Sequence, residues 1–347
     1  MSKDDTYFLK GLAIIFLLYH HNPFYPAYSD IIKEGARVCV WIFLFITSYG
    51  YTLQMKAGYE TKPLRFIVKR IILLYSEMWF FYLYNFIVII LFKPSALPYF
   101  LSSPINIPID MLAVSNLFGK PLIVAEWYVN FLLIVIVVFP LLYFLVKKTT
   151  WFSLPIIILI TMLCPYKMSF QYGGQFNYYL LMIVVGILFA QNSIFEKLAR
   201  FKHKKDILVL ISGLLLILNL LVVRYFLLFH DFENEWYLSY GPLSTLMGII
   251  IVIMVFLLRG EGKIQMLLQK LGKHSGNMFF THIVFYNIFV RLLGIYNEIG
   301  SFFLCFAYSL SLSLFVEFVK KKTDYNNRIR NGLKRLLRED SIKKQDA

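Results

Sequence analysis

Charged residues and cysteines are both scarce in this 347-residue sequence. Asp, Glu, Lys and Arg make up 16% of it, and only 20 acidic residues stand against 35 basic ones. So low a charged fraction excludes an ordinary soluble domain of this length. The three cysteines, Cys39, Cys164 and Cys305, lie far apart in or beside apolar runs. We therefore expect small buried hydrophobic residues there, and no metal or dithiol site.

Several familiar sequence patterns are also missing. The chain has no glycine-rich phosphate loop, no heptad pattern long enough for a coiled coil and no internal repeat. Its charged start at residues 2–5 leads into the first apolar run without a small-residue cleavage site, so we expect that run to be retained in the mature protein.

Apolar residues dominate what remains. They make up 59% of the chain, and aromatic residues make up 18%, which indicates that lipid is the solvent. This predicts an all-α polytopic membrane protein with a transmembrane domain over residues 1–319 and a basic cytoplasmic tail over 320–347. Windows of about 18 to 22 residues mark ten candidate transmembrane helices, at residues 7–21, 38–55, 71–92, 122–146, 151–166, 176–190, 206–230, 239–258, 275–291 and 299–319.

The basic residues are distributed unevenly between the alternate loops of this topology. Lys and Arg accumulate in cytoplasmic loops, and here they concentrate in one set of loops and in the tail. The pattern predicts both termini in the cytoplasm, and it explains the net charge of +15 without a nucleic-acid partner. Arg224 lies within the seventh span, near three acidic residues that are candidates for pairing with it: Asp231, Glu233 and Glu235.

The first span carries a cation at its start and a histidine pair at its end. Lys10 and His21 are eleven residues apart, which is about three helical turns or roughly 16 Å of rise, so they share one face. His20 lies about 100° away from that face. Because ionisable groups at membrane depth usually face a protein interior or a wet cavity, this stripe is a candidate functional site.

Five sequence blocks resemble motifs of the acyltransferase-3 family of integral-membrane acyltransferases, in the expected order. The first is the Lys10-Gly11-x-Ala13 opening with His21 eleven positions after the cation. The other four blocks are residues 39–50, residues 65–75, Glu126-Trp127-Tyr128 with Phe139-Pro140, and residues 272–275 with His282. In the second block, Thr47 and Ser48 stand where the family usually has Ser and Gly. Directly after the third block, Ser76 stands where a proline is common.

This resemblance implies transfer of an acyl group, usually acetyl from cytoplasmic acetyl-CoA, to a hydroxyl of a cell-envelope carbohydrate or a lipid-linked saccharide. It also implies a multi-pass protein of a bacterial plasma membrane, with acyl-CoA as donor substrate and no metal. The cytoplasmic cations then become candidates for binding the phosphates of the donor. They are Lys10, Arg65, Lys69 and Arg70. Simple topological anchoring is the alternative role for Arg65 and Lys69.

Hydroxyl acylation needs a base, and histidine suits this role because its usual pKa lies near neutrality. His21 is the candidate, placed just before Asn22-Pro23, where the proline is expected to end the helix. The alternative is a histidine that only hydrogen-bonds a neighbouring helix or interfacial water. For His20 that structural role is favoured.

Other polar and aromatic residues are candidates for the acceptor side of the site. Glu126 is predicted to orient the imidazole or to bind acceptor hydroxyls, with an interfacial glutamate beside an anchoring Trp127 as the alternative. Trp127 and Tyr128 are candidate substrate contacts. Ser275 and His282, seven residues apart on one helix face, are predicted to line the cavity or to join helices by hydrogen bonds.

Two other classes of function remain open at this point. A saccharide exporter or flippase would also need many spans and a polar interior, although the sequence has no paired broken helices in matching halves. A structural scaffold for a synthase complex is the third possibility.

Overall fold

The structure is a computed structural model that describes residues 1–24, 30–93, 98, 101–115, 126–163, 169–170, 174–175, 177–200, 205–229, 236–260 and 262–337. Apart from one two-residue ladder, its regular elements are helical. The helices up to residue 163 are α1 (Lys3–His20), α2 (Asp30–Ala36), α3 (Cys39–Gln54), α4 (Pro63–Phe92), α5 (Asn106–Met111), α6 (Glu126–Thr149) and α7 (Ser153–Leu163). A π-helical turn at Met55–Tyr59 precedes α4, and a 3-10 turn at Thr150–Phe152 links α6 to α7.

The second part of the chain is also mainly helical, with one short β-ladder. Strands β1 (Ser169–Phe170) and β2 (Gly174–Gln175) pair antiparallel, with Phe170 opposite Gly174. The later helices are α8 (Asn177–Gln191), α9 (Ile194–Arg200), α10 (Lys205–Phe229), α11 (Trp236–Leu258), α12 (Lys263–Val284), α13 (Val290–Leu292), α14 (Glu298–Lys322) and α15 (Tyr325–Leu337), with a π-helical turn at Phe285–Phe289.

Five helical segments of the described chain are long and apolar enough to cross a membrane. They are Pro63–Phe92, Trp127–Thr161, Lys205–Val222, Gly241–Leu258 and Glu298–Lys322. Helices α8 and α9 form a sixth candidate span if they are counted as one. The two helices are bent by 61° relative to each other. Ser193 lies between them, and its φ of 51° breaks the helix. An all-helical membrane architecture is therefore supported, while the count of ten spans and the cytoplasmic position of both termini stay predictions.

The chain divides into two compact units. The first comprises Met1–Gln54, Leu141–Ser275 and Ile295–Phe303. In it α3 packs against α1, α8 and α11, and its core contains a cluster of aromatic rings whose centroids lie 4.6 to 6.1 Å apart. The cluster consists of Phe45, Tyr49, Phe189, Phe195 and Phe256.

One helix of this unit exposes mainly apolar side chains, as a lipid-facing helix does. On α10 these are Ile207, Leu210, Ile211, Leu214, Leu215, Ile217, Leu218 and Leu221. Cys39 is buried in the same unit and Cys305 in the second one, as expected for small hydrophobic residues. Cys164 lies outside the described residues.

The second unit comprises Met55–Pro140, Gly276–Gly294 and Leu304–Ala347. Its core joins α4 to α12 through the stacked rings of Phe81 and Phe280, whose centroids are 5.5 Å apart. The carboxamide of Asn85 donates to the Phe280 carbonyl at 2.9 Å. Asp324, with a φ of 52°, separates α14 from α15, and α15 packs on α4, where the Tyr325 hydroxyl donates to the Ser76 carbonyl at 2.8 Å.

Candidate active site

The start of α1 is fixed by a capping box and an ion pair in the first unit. The Asp5 backbone N–H donates to the Ser2 hydroxyl at 3.0 Å, and the Ser2 N–H donates to the Asp5 carboxylate at 2.8 Å. The same carboxylate accepts from the Arg259 guanidinium at 3.2 Å. Since these contacts satisfy backbone donors that a helix start leaves open, the first turn of α1 has a defined position.

The end of α1 fixes the tautomer of His21. Ring atom Nδ1 lies 3.1 Å from the carbonyl oxygen of Leu17, one turn earlier on the same helix. Because a carbonyl only accepts hydrogen bonds, Nδ1 carries a hydrogen in this geometry. In the neutral ring the lone pair therefore belongs to Nε2, which is the form a general base requires.

A buried polar network holds the segment next to His21. The Asn22 side chain, 1% exposed, donates to the Glu298 backbone carbonyl at 2.8 Å and accepts from the Ser301 hydroxyl at 2.8 Å. The Tyr19 hydroxyl donates to the Glu298 carboxylate at 2.7 Å. These bonds join the end of α1 to the first turn of α14.

His20 makes a different contact. Its Nδ1 lies 3.0 Å from the backbone carbonyl of Lys33, so the ring connects α1 to α2. The His20 and His21 rings meet edge to face, with centroids 5.0 Å apart. The two Nδ1 atoms therefore bond different carbonyls, and the contact of His20 is one between helices.

Two glycines bring the first and the last motif block together in this unit. A methyl group on Gly11 would overlap the backbone carbonyl of Leu268, and one on Gly272 would overlap that of Tyr7. The backbones of α1 and α12 therefore touch, as at a small-residue helix crossing. Lys10, the residue before Gly11, is half-buried. Ser275 is buried, and its hydroxyl donates to the Gly272 carbonyl at 2.9 Å.

In the second unit, the candidate donor-binding cations occupy the first turns of α4. The Lys69 ammonium donates to the Tyr59 hydroxyl at 2.5 Å and lies 5.0 Å from the centre of that ring. The Arg70 guanidinium lies 5.9 Å from the centre of the Phe66 ring. Arg65 is half-buried on the same helix. The structure thus places all three cations on one helix end.

In the same unit, Tyr128 and His282 both contact Phe279. The Tyr128 and Phe279 ring centroids are 5.1 Å apart, and His282 Nδ1 donates to the Phe279 carbonyl at 2.6 Å. Trp127 is buried next to Tyr128, with ring centroids 5.6 Å apart. Glu126 begins α6, but its side chain lies outside the described residues, as does that of Arg224.

Sequence reasoning missed a buried cation near the end of α14. Lys320, with its side chain 2% exposed, donates to the Glu77 carboxylate and to Glu317 Oε1, the latter at 3.2 Å. The Asn277 amide also donates to Glu317, at 2.9 Å. Glu77 is the one acidic residue of α4, and an acid within an apolar helix is the signal that could have indicated a paired cation.

Comparison with known proteins is consistent with these motif blocks. A family model described as an acyltransferase domain matches residues 7–318, so it includes Lys10, His21 and all five blocks. Searches of curated proteins and of solved structures returned no match. The match extends over most of the chain, and the helices have the length and composition of membrane spans. The chain therefore belongs to the acyltransferase 3 family and is a multi-pass membrane acyltransferase.

Proposed function

We propose that this protein transfers an acetyl group from cytoplasmic acyl-CoA to a hydroxyl of a cell-envelope glycan or of its lipid-linked precursor. We assign it to the plasma membrane of a bacterium, with both termini in the cytoplasm. Family membership supports acyl transfer. The observation that carries the proposal is the hydrogen bond from His21 Nδ1 to the Leu17 carbonyl, because it leaves the lone pair of a neutral ring on Nε2.

His21 acts as the general base in this proposal. Its Nε2 takes the proton of the acceptor hydroxyl while the hydroxyl oxygen attacks the thioester carbonyl carbon. The tetrahedral intermediate then collapses, the C–S bond breaks, and the imidazolium returns its proton to the departing thiolate. The products are an ester and a free CoA thiol. General base catalysis of this kind contributes on the order of 10²- to 10⁴-fold to the rate.

Cations near the cytoplasmic surface bind the donor. We assign this role to Lys10 in the first unit and to Arg65, Lys69 and Arg70 in the second. The phosphates of CoA carry several negative charges, which ammonium and guanidinium groups neutralise through charge-assisted hydrogen bonds. The contacts of Lys69 with Tyr59 and of Arg70 with Phe66 support this role, because they limit the conformations of both side chains.

The remaining candidates are assigned to the acceptor. Glu126 orients the imidazole or binds acceptor hydroxyls, and Trp127 and Tyr128 offer aromatic surface for a sugar ring. Ser275 and His282 offer polar contacts. Their positions on α12, seven residues apart, support a shared face.

Two experiments test the proposed reaction. Washed membranes that contain the protein are given acetyl-CoA labelled in the acetyl group, and the label is followed into envelope saccharide. The envelope polymer is also analysed by mass with and without the protein. We expect label transfer and an acetyl-sized mass difference. A saccharide exporter would transport saccharide without transferring label, and a scaffold would leave acylation unchanged when His21 is replaced; either result would refute the proposal.

A further inference from the structure

Two ammonium groups converge on the ring of Tyr7 in the first unit. Lys3 Nζ lies 5.7 Å from the ring centre, and Lys273 Nζ lies 5.6 Å from it. Both distances fall within the range of a cation–π interaction. Lys3 precedes Tyr7 by four residues on α1 and Lys10 follows it by three, so the three residues share one helix face. Lys273 reaches the same ring from α12.

The glycine crossing explains why Lys273 is held at this place. Gly272 lies directly against the backbone carbonyl of Tyr7, and its next neighbour is Lys273. No side chain separates the two helices at this point, so the Lys273 side chain starts one residue from a direct contact with the Tyr7 backbone. The backbone contact therefore fixes where the Lys273 side chain begins, and the flexible side chain brings the ammonium group to the Tyr7 ring.

The acidic residues of the first turn do not cancel this charge. The carboxylate of Asp5 is 7% exposed and already accepts from Arg259 at 3.2 Å and from the Ser2 N–H. Asp4 is exposed to solvent and, among the residues that the structure describes, makes no ion pair with Lys3 or Lys273. Lys3 and Lys273 are both exposed to solvent. Like charges gathered around one ring repel each other, and a multiply charged anion would relieve that repulsion.

We propose that Lys3 and Lys273, held on the Tyr7 ring beside Lys10, bind the phosphate groups of the acyl-CoA donor. This inference rests on the proposed function, and it adds Lys3, Tyr7 and Lys273 to Lys10, the donor-binding cation assigned to the first unit. The predicted topology places the start of α1 on the cytoplasmic side, where acyl-CoA is found. Tyr7 acts as a positioning residue, because its ring holds the two ammonium groups.

The experiment uses the full-length protein, purified and placed in nanodiscs of zwitterionic lipid. The variants are Lys3→Gln, Lys273→Gln, Tyr7→Leu and Tyr7→Phe. Lys263→Gln is the matched control, because Lys263 is an exposed lysine at the start of the same helix as Lys273. Two quantities are measured for each variant: the Kd for CoA, and the rate of acetyl transfer from acetyl-CoA and from S-acetyl-pantetheine, which has no phosphate.

We expect Lys273→Gln to raise the Kd for CoA about tenfold, as the loss of one charge-assisted hydrogen bond does. Lys3→Gln is expected to act similarly, and Tyr7→Leu is expected to lose more affinity than Tyr7→Phe. The rate with S-acetyl-pantetheine should remain that of the wild type in the lysine variants. Lys263→Gln should leave the Kd for CoA unchanged.

Three outcomes would overturn the inference. If Lys273→Gln binds CoA like the wild type while the wild type transfers acetyl, the inference fails and the proposed function stands. If Lys273→Gln slows transfer equally from both donors, its role is structural. Repeating the binding in nanodiscs with anionic lipid covers a third case: if the variants lose only lipid retention, the cations serve a lipid headgroup. A wild type that neither binds CoA nor transfers acetyl would refute the proposed function itself.

Discussion

Gly272 of α12 lies directly against the backbone carbonyl of Tyr7 in α1. Four residues away on each helix the contact is repeated, because Gly11 lies against the carbonyl of Leu268. The two glycines thus allow the helices to approach until their backbones touch. This crossing sets the positions of Lys10, Lys273 and Ser275, which belong to motif blocks far apart in the sequence.

Alanine at either glycine of this crossing is expected to destabilise the protein. The added methyl group would overlap a backbone carbonyl, which cannot rotate away, so Gly272→Ala should cost about 3 kcal/mol of stability. Gly276→Ala is the control on the same helix, since a methyl group there meets nothing within 4 Å. Thermal unfolding in detergent is the measurement. Equal melting temperatures for Gly272→Ala and Gly276→Ala would contradict the direct backbone contact between α1 and α12 at Gly272.

Gly186 makes room for the side chain of Ser48 in the first unit. A methyl group on Gly186 would overlap the Ser48 hydroxyl, which donates to the Leu44 carbonyl at 2.8 Å and is fully buried. We expect Gly186→Ala to lower stability by about 2 kcal/mol. Adding Ser48→Gly, which gives the residue more usual in the family, should recover most of the loss.

The control for this pair is Gly213→Ala, because a methyl group there has open space. Thermal unfolding of the single and double variants provides the comparison. A double variant that is less stable than Gly186→Ala alone would show that Ser48 does not oppose the added methyl group.

Lys320 stabilises the second unit as a buried counter-ion. Replacing it by methionine leaves Glu77 and Glu317 without their cation, although both carboxylates are about two fifths exposed, at 44% and 40%. Removal of one partner from a buried pair costs several kcal/mol, and the exposure reduces this, so we expect about 2 kcal/mol for Lys320→Met.

The neighbouring Lys321 is exposed and provides the control variant Lys321→Met. Adding Glu77→Gln to Lys320→Met removes one of the two uncompensated carboxylates and should restore part of the stability. Chemical or thermal unfolding tests both expectations. Lys320→Met with the stability of Lys321→Met would mean that the ion pair contributes nothing.

Asn22 is expected to support catalysis by holding the residue next to His21. Asn22→Ala removes the bond to the Glu298 backbone carbonyl and the bond from the Ser301 hydroxyl, which then keeps only its bond to the Glu298 carbonyl at 3.0 Å. We expect kcat to fall about tenfold while the KM for acyl-CoA changes little, because orientation of the base matters in the transition state. Asn192→Ala is the control, because the amide of Asn192, one residue after α8, bonds the nearby Leu188 carbonyl of that helix at 3.0 Å. A raised KM with unchanged kcat would contradict this role for Asn22.

Local features of the fold were accessible from the sequence because they depend on neighbouring residues. The first span was expected over 7–21, and α1 runs from Lys3 to His20, ending before Pro23. The third span was expected to begin at residue 71, whereas the corresponding helix, α4, begins at Pro63. Hydropathy marks the apolar part of a helix, and the backbone stays helical through the charged residues Arg65, Lys69 and Arg70 as well.

Long-range pairings could not be predicted in this way. Lys320 stands in a run of three lysines and was assigned to the cytoplasmic tail by its charge. Its partner Glu77 is 243 residues earlier, and nothing in the lysine run indicates which member is buried. Similarly, the spacing of Ser275 and His282 predicts one helix face. It does not reveal that each donates to a carbonyl three residues earlier in its own helix.

The most direct test compares acetyl transfer by purified His21→Ala and His20→Ala. Labelled acetyl-CoA and envelope saccharide are supplied to each variant and to the wild type, and the Kd for CoA is measured in parallel. Loss of the general base should lower the rate of His21→Ala by about 10²- to 10⁴-fold without changing the Kd for CoA. His20→Ala should retain transfer, since His20 Nδ1 bonds the Lys33 carbonyl. Transfer by His21→Ala at the wild-type rate would contradict the account.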